Sequence, residues 1–188
     1  MLYSDQLPKP TMSPQIYLKN LELETERLRL RPFIGEDAPI MYALNEDPEV
    51  LQYTGDKQFA NILTARTFFE NYDQYGLYGV GRMTTILKET GEILGWCGLK
   101  YHPDAAEYDI GYRFFKKYWG KGYATESATA ILRKGFSKPE ITRIIARVRI
   151  ENIASIHVLE KLGLIYQYSY EENHEQWMLY QISAPQED

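Results

Sequence analysis

Two glycines one residue apart, Gly120 and Gly122, stand among three lysines in residues 116–121 of a chain whose formal net charge is −5. Residues 107–114 alternate with a period of two, which predicts a strand, and the apolar residues after the glycines recur at three- and four-residue steps, which predicts a helix. Glycines let backbone N–H groups approach a ligand, and the first turn of a helix leaves its N–H groups unpaired at the positive end of the helix dipole. This arrangement predicts an anion site, usually for phosphate. A tight turn on a solvated basic edge is the alternative.

A second candidate stretch runs from Ile150 to Leu164. Its apolar spacing predicts a helix that Asn152 caps and that ends near Gly163, with Ser155 in the first turn. Asn152 and Ser155 carry polar groups that could bind a ligand. A helix cap and a first-turn polar residue are the structural alternative.

Together, the two stretches resemble the GCN5-related N-acetyltransferase (GNAT) superfamily. The superfamily's turn Arg/Gln-x-x-Gly-x-Gly/Ala is similar to residues 117–122, with Lys117 where arginine or glutamine is usual. Its later motif Asn-x-x-Ala-x-x-x-Tyr-x-Lys-x-Gly-Phe has the spacing of residues 152–164. The motifs at 26–32, 110–112, 118–126 and 152–155 are most similar to ribosomal-protein N-terminal alanine or serine acetyltransferases. The resemblance spans roughly residues 22 to 182.

The fold that this resemblance implies is an α/β (α+β) one. It has a mixed, mostly antiparallel sheet of six to seven strands, about four flanking helices, and a fourth and fifth strand that run parallel and splay apart. Residues 21–183 then form a single N-acetyltransferase domain between a loose N-terminal extension, 1–20, and a tail, 184–188. The residue pattern predicts strands at 24–33, 80–88, 92–101, 107–114, 141–150, 164–170 and 175–182, and helices at 36–45, 61–75, 122–135 and 152–163.

The activity that the resemblance implies is acetyl-CoA-dependent N-acetyl transfer to a primary amine, either a protein N-terminus or a small molecule, by direct attack without an acyl-enzyme. The turn holds the pyrophosphate of acetyl-CoA on backbone N–H groups. The predicted strand at 107–114 pairs with the pantetheine arm, and a backbone N–H near Tyr112 polarises the thioester carbonyl. The expected cofactor-binding residues are Ile110, Gly111, Tyr112, Arg113, Lys117, Gly120, Lys121, Gly122, Tyr123, Ala124, Thr125, Asn152, Ser155, Val158 and Lys161.

The expected catalytic residues are Glu107, Tyr112 and Ser155. An amine acceptor arrives mostly protonated, because an alkyl ammonium has a pKa of about 10 and an α-amino group one of about 8, so a general base must take a proton. Glu107 and Asp109 share one face of the central strand, and we favour Glu107 as the base, with an exposed strand carboxylate as the alternative. The chain departs from the superfamily at Leu159, where many relatives carry a tyrosine that protonates the leaving thiolate.

Ser155, in place of the usual alanine, is the nearest candidate to hydrogen-bond the sulfur. The missing tyrosine motivates an alternative function, a non-catalytic acyl-CoA sensor on the same fold. In the resembled family the first helices form a wall of the acceptor site. The candidate contacts in this wall are Tyr53, Thr54, Phe68 and Tyr72, and the alternative, which we favour for most of them, is that they are core residues.

Composition narrows the remaining possibilities. A chain of 188 residues with 44% hydrophobic and 25% charged residues predicts one globular domain. The chain has a single cysteine, Cys97, so it cannot form an intramolecular disulfide, and this favours a reducing, cytoplasmic compartment. We expect Cys97 to be a small, buried hydrophobic residue. The three histidines show no metal-ligand spacing, and no dinucleotide fingerprint or phosphate loop supports a nucleotide-binding domain. We expect no nucleic-acid or membrane partner, no metal, and a monomer or homodimer.

Overall fold

The computed structural model describes residues 20–185, and eight strands of this part of the chain form one mixed sheet in the order β1-β2-β3-β4-β5-β6-β8-β7. The predicted extension, except its last residue, and the last three residues of the predicted tail lie outside the described residues. The strands are β1 (Leu23–Glu24), β2 (Leu28–Pro32), β3 (Arg82–Leu87), β4 (Ile93–His102), β5 (Glu107–Phe114), β6 (Arg143–Arg149), β7 (Ile165–Glu172) and β8 (Glu175–Ser183).

Helices flank this sheet. The α-helices within residues 20–185 are α1 (Ala38–Glu46), α2 (Pro48–Leu51), α3 (Ile62–Glu70), α4 (Gln74–Tyr78), α5 (Tyr123–Phe136) and α6 (Ile153–Lys161), and short 3-10 turns lie at Gly35–Asp37 and Lys116–Tyr118. The pair β5 and β6 is parallel and α5 connects it, whereas every other neighbouring pair is antiparallel. A helical crossover is what a parallel pair requires. The expected mixed fold is confirmed.

The two faces of the sheet carry separate apolar clusters. On β4, Cys97 and Leu99 belong to the larger cluster, against which α5 packs, and Trp96 packs against the smaller cluster beside α1 and α3. Fully burying a leucine or isoleucine side chain stabilises the fold by about 2 kcal/mol, and Leu94 and Ile144 are both completely buried. The sheet is thereby fixed between two layers, and its middle strands become the rigid frame for any site.

Element boundaries differ from the sequence prediction where polar side chains intervene. The predicted first strand divides into β1 and β2, because the Thr25 hydroxyl accepts a hydrogen bond from Leu28 N–H at 3.0 Å, and this adds an eighth strand. The helix predicted over 61–75 divides into α3 and α4, since Asn71 donates its side-chain amide to the Thr67 carbonyl at 2.8 Å where α3 ends. The short helix α2, which the sequence pattern did not predict, begins at Pro48 after α1 ends at Glu46.

The predicted helix over 122–135 ends within one residue of α5, but Gly135 is not the residue that terminates it. It lies inside α5, which continues to Phe136 and closes at Ser137. A Cβ at Gly135 would lie 2.9 Å from Leu99 Cδ1 and 3.1 Å from Ile144 Cδ1. The missing side chain therefore allows the helix to approach β4 and β6 closely.

The alternation in the first predicted strand indicates a solvated face for Arg27, Arg29 and Arg31. The structure agrees for Arg27 and Arg29, which are exposed, and differs for Arg31, which is partly buried. Arg31 pairs in a bidentate manner with Asp37, at 2.6 and 2.8 Å, and Asp37 is 1% exposed. Arg27 joins a network with the helix α5, described below. Alternation alone gives the face on which a residue lies, and it does not show which partner the fold brings to that face.

Candidate active site

The central opening of the sheet lies between β5 and β6. These strands pair only through Tyr108–Ile144 and Asp109–Ile145, and beyond that point β5 continues along β4 while β6 continues along β8. A cleft of about 240 Å³ opens where the pairing stops. The predicted residues that line it are Ile110, Gly111, Tyr112, Arg113, Asn152 and Ser155.

The backbone of β5 presents hydrogen-bonding groups to this cleft. Phe115 N–H donates to the Leu94 carbonyl at 3.0 Å, whereas Tyr101 N–H donates to Gln74 Oε1 at 2.9 Å instead of to β5. Bonded and non-bonded pairs alternate along an antiparallel ladder, so Gly111 and Arg113 exchange bonds with β4. The backbone groups of the intervening residues Ile110 and Tyr112 therefore point toward β6, where the strand is missing.

The glycine turn lies beyond the end of β5. Gly120 and Gly122 have φ values of 72° and 80°, a left-handed conformation that favours glycine, and no atom lies within 4 Å of a Cβ built at Gly120. Helix α5 begins directly afterwards at Tyr123. Within residues 20–185, no group accepts a hydrogen bond from the backbone N–H groups of residues 120–125. The turn thus offers a row of unpaired donors at the N-terminus of a 14-residue helix.

A polar network holds this turn in place. Glu126, in the first turn of α5, accepts hydrogen bonds from Thr25 Oγ1, Arg27 N–H and Arg27 Nε, the last at 2.6 Å. Arg27 Nη1 donates to the Lys121 carbonyl at 3.1 Å, and its guanidinium stacks 4.6 Å from the centre of the Tyr123 ring. Sequence reasoning missed this network, although the Glu-Arg motif at 26–32 and the glutamate at 126 were both visible.

The lysines near the turn are less engaged than expected. Lys117 lies 3.5 Å from Glu92 Oε1 on the β3–β4 connection, and Lys121 is exposed. Lys161 is also exposed, and neither Lys161 nor Val158 lines the cleft. The cofactor contacts of these three lysines and of Val158 stay predictions. For the lysines, positive charge near the opening supports the prediction, and for Val158 only the resemblance does.

The N-terminus of α6 closes one side of the cleft. Asn152 caps the helix by accepting a bond from Ser155 N–H at 3.1 Å, and Tyr112 donates its hydroxyl to the Ser155 carbonyl at 3.2 Å. Burial raises the pKa of Tyr112, so its hydroxyl stays protonated at neutral pH. Leu159 also lines the cleft and is 2% exposed. The cap thus exists as a structural feature, while Ser155 itself faces the opening.

The two candidate bases have different surroundings. Glu107 lies outside the cleft lining, and its two carboxylate oxygens bond to Arg143 at 2.9 Å and Arg147 at 2.8 Å. Asp109 lines the cleft and bonds through Oδ2 to Arg147 Nη1 at 3.0 Å, with His102 Nε2 at 3.6 Å from the same oxygen. Glu107 therefore belongs to an ion-pair network at the end of β5 that pairs with β6, and Asp109 lies beside the cleft.

A second and larger cavity, of about 620 Å³, adjoins the first. The two share Asp56, Arg82, Trp96 and Arg113 in their walls, all on the side of β5 opposite α5. Gly111 belongs to this junction, since a Cβ built there would lie 3.3 Å from Trp96 Cζ3. Of the four residues expected in an acceptor wall, Phe68 and Tyr72 line the larger cavity, and Tyr53 and Thr54 line the smaller one.

Arg113 was predicted to contact the cofactor, and its side chain lies on the other face of β5. It donates hydrogen bonds to Asn45 Oδ1 and to Asp56 Oδ2, and the side chain is 9% exposed. Burial lowers the pKa of Arg113, Asp56 opposes this change, and nearby Arg82 adds to it. Two guanidinium groups, those of Arg82 and Arg113, and one carboxylate, that of Asp56, therefore lie where the two cavities meet.

Three further properties bear on the chemistry. Cys97 is completely buried, and burial raises the pKa of its thiol to about 12, which makes it a neutral core residue as expected. Residues 20–185 hold no group of three or more His, Cys, Asp or Glu side chains placed to bind a metal ion. No helix in the same range is long and apolar enough to cross a membrane.

Comparison with known proteins links this geometry to one family. Residues 27–165 match the family model described as "Acetyltransferase (GNAT) domain". The protein named "Uncharacterized N-acetyltransferase p20" from Bacillus licheniformis is 35% identical over 143 residues, which are 75% of this chain and 80% of that protein.

Solved structures show the same fold. An acetyltransferase of the GNAT family from Bacillus anthracis has 26% identity and a TM-score of 0.74, and the match covers 87% of this chain and 99% of that one. RimL, titled a ribosomal L7/L12 alpha-N-protein acetyltransferase in complex with coenzyme A, has 16% identity and a TM-score of 0.73. That match covers 85% of this chain and 95% of RimL and shows similarity of fold.

Proposed function

The chain belongs to the GNAT acetyltransferase family, and on that premise we propose that it is an acetyl-CoA-dependent N-acetyltransferase acting on a primary amine. The relative from Bacillus licheniformis is named an N-acetyltransferase, and RimL carries coenzyme A. Residues 21–183 form the proposed domain, and a cytoplasmic location fits its single buried cysteine.

The observation that carries this proposal is the continuity between the open edge of β5 and the glycine turn. An extended pantetheine arm needs backbone partners, and Ile110 and Tyr112 direct theirs into the cleft. A pyrophosphate needs several donors, and the unpaired N–H groups of residues 120–125 lie at a helix N-terminus. The residues present therefore fit an acyl-CoA, whose thioester would lie near Tyr112 and Gly111.

Bound acetyl-CoA would supply the acetyl group, and its C–S bond would break as the amine nitrogen forms an amide bond. An acceptor that arrives as the ammonium would lose two protons in all, one to a base before the attack and one as the amide forms. The sulfur would take up one proton, and the other would pass through the base to solvent. We assign the polarisation of the thioester carbonyl to the Tyr112 N–H. Asp109 replaces Glu107 as our preferred proton acceptor, because it lines the cleft and its Oδ1 bonds to no described residue. A water between Asp109 and the amine would complete the path.

Ser155 is the side chain that we assign to the leaving sulfur. It faces the cleft at the first turn of α6, where Asn152 and the Tyr112 hydroxyl fix its backbone. The chemically inert Leu159 beside it is the observation that favours the alternative of a non-catalytic acyl-CoA sensor. A sensor would bind acetyl-CoA with this same cleft and release no thiol in the presence of amines.

Calorimetric titration with acetyl-CoA, followed by thiol release against a panel of amines and peptides, tests the proposal. We expect binding and turnover, and Ser155→Ala lowers kcat by about fivefold while acetyl-CoA affinity changes less than about twofold, since one hydrogen bond is worth about 1 kcal/mol. Thr129→Ala removes a hydroxyl that bonds within α5 and is the matched control. Binding without turnover of any amine would support the sensor, and no binding would refute both functions.

A further inference from the structure

Arg82 differs from the other partly buried arginines of residues 20–185. Four of them pair with a carboxylate, and these are Arg31, Arg113, Arg147 and Arg149. Arg82 has no ion pair and no side-chain hydrogen bond to any described residue, and its Nε is buried without a partner. Burying a guanidinium without an acceptor is costly, so we expect a ligand to supply an acceptor to Arg82 when the protein is active.

The Arg82 guanidinium lies at the junction of the two cavities. It lines both, and its Cζ is 4.5 Å from the centre of the Trp96 ring. Stacking on an aromatic face holds the planar group and leaves its N–H edge available, which suits a bidentate bond to a carboxylate. Trp96 also stacks on Arg113 at 5.4 Å, which already holds Asp56.

The unpaired cation is close to the proposed point of acetyl transfer. A Cβ built at Gly111 would lie 3.8 Å from Arg82 Nη2, and Gly111 separates the two residues whose backbone groups face the cleft. An oxyanion bound to Arg82 would therefore lie near any amine that attacks a thioester beside Tyr112. The anion and the amine must be separated by a few bonds only.

We propose that the acceptor is a small amine that carries a carboxylate close to the amino group, as a free amino acid does, and that Arg82 binds this carboxylate. This inference rests on the proposed acetyltransferase function and names its substrate class. A protein N-terminus has an amide at that place, and its oxygen cannot neutralise the guanidinium.

The remainder of the acceptor would extend into the larger cavity. Its wall is largely apolar and includes Phe33, Met41, Leu44, Phe59, Phe68, Phe69 and Tyr72. Phe68 is 44% exposed, which leaves a ring face for a ligand. Amino acids with apolar side chains, such as leucine, methionine and phenylalanine, are thus the appropriate probes.

The test compares each of these amino acids with its carboxamide as acceptor, at saturating acetyl-CoA. Wild type should prefer the acid by at least about tenfold in kcat/KM, because a charge-assisted bond contributes roughly 1.5–3 kcal/mol. Arg82→Gln should remove this preference by lowering kcat/KM for the acids to that for the carboxamides. Lys57→Gln, which removes an exposed cation from the same cavity, should keep it.

Binding of each pair to the protein loaded with coenzyme A, measured by calorimetry, gives a readout independent of turnover. The acids must bind more tightly than the carboxamides. Equal affinities, binding by neither, a preference that survives Arg82→Gln, or equal losses in Arg82→Gln and Lys57→Gln would each overturn the proposal. Failure of acetyl-CoA itself to bind would instead refute the proposed function.

Discussion

On one side of Gly111, the cleft between β5 and β6 offers mainly backbone groups: the open edge of the strand and the unpaired N–H donors of residues 120–125. On the other side, the larger cavity is made of side chains, with Arg82 and Trp96 at its junction and aromatic rings behind them. A surface made of backbone groups can bind acetyl-CoA, the ligand that acetyl-CoA-dependent enzymes have in common. A side-chain surface can change its specificity by substitution without disturbing that binding.

The largest effect should come from the backbone surface. Gly122→Val places a β-branched residue at φ 80°, with its Cβ about 3.4 Å from Arg27 Nη2, and covers the N–H donors of the turn. We expect acetyl-CoA affinity to fall roughly 100-fold, because the valine side chain blocks the approach to the turn and removes charge-assisted bonds worth roughly 1.5–3 kcal/mol each. The left-handed strain of about 1–2 kcal/mol lowers the stability of the fold instead. Calorimetry on the folded variant measures this change.

Gly91→Val is the matched control for that substitution. Gly91 has φ 75° in the β3–β4 turn, and nothing lies within 4 Å of its Cβ position. It should share the loss of stability and keep normal acetyl-CoA affinity. If Gly122→Val binds acetyl-CoA as wild type does, the turn is not the pyrophosphate site.

A substitution with an effect of intermediate size should distinguish the backbone groups of the cleft from the side chains of the larger cavity. Arg113→Met removes the guanidinium that holds Asn45 and Asp56 at the wall of the larger cavity. We expect the KM for the amine to rise about tenfold, as a hydrogen bond to a charged group is worth roughly 1.5–3 kcal/mol, while acetyl-CoA affinity stays within about twofold. Steady-state kinetics and calorimetry on the same preparations give both numbers.

Lys116→Met serves as the control, since it breaks the exposed Lys116–Glu49 pair and should change neither value. A loss of acetyl-CoA affinity as large as the rise in KM would instead support a role of Arg113 in cofactor binding, which the family resemblance implies.

The same contrast explains how much could be predicted from the sequence. Gly120, Gly122 and the Asn152 cap act through backbone conformation within a few residues, so their spacing predicts the strand, the turn and both helix starts. The side of β5 on which Arg113 lies follows from alternation, but its partners Asn45 and Asp56 come from 68 and 57 residues away. No local pattern reports such contacts.

Glu107 shows the limit within one strand. It shares a face with Asp109, and the alternation of the strand does not distinguish the two carboxylates, although Glu107 is the base that we favoured from the sequence. The two arginines of β6 that surround Glu107 become visible only when the parallel register places Tyr108 opposite Ile144. Similarly, Arg82 is distinctive for a missing partner, which is a property of packing and not of residue type.

The smallest effect on binding should come from the network behind the turn. Burial raises the pKa of Glu126, but the bonds from Thr25 and Arg27 outweigh it and lower the pKa below the ordinary value of 4.5. A carboxyl whose folded pKa is depressed stabilises the protein above its unfolded pKa, and this contribution is lost as the pH falls through the folded value. Glu126→Gln should cost about 1–2 kcal/mol at pH 7 and roughly twofold in acetyl-CoA affinity, with the stability difference shrinking below about pH 4.5.

Urea denaturation of both proteins at several pH values measures that difference. Glu92→Gln is the control, because the Lys117 charge lowers the pKa of Glu92 as well, but this pair is exposed and screened by solvent, so it should have little effect at any pH. Equal behaviour of the two variants would mean that the Glu126 network adds nothing beyond a surface ion pair. The glycines and α5 alone would then position the N–H donors of the turn. The cofactor-binding backbone groups would not depend on long-range side-chain contacts.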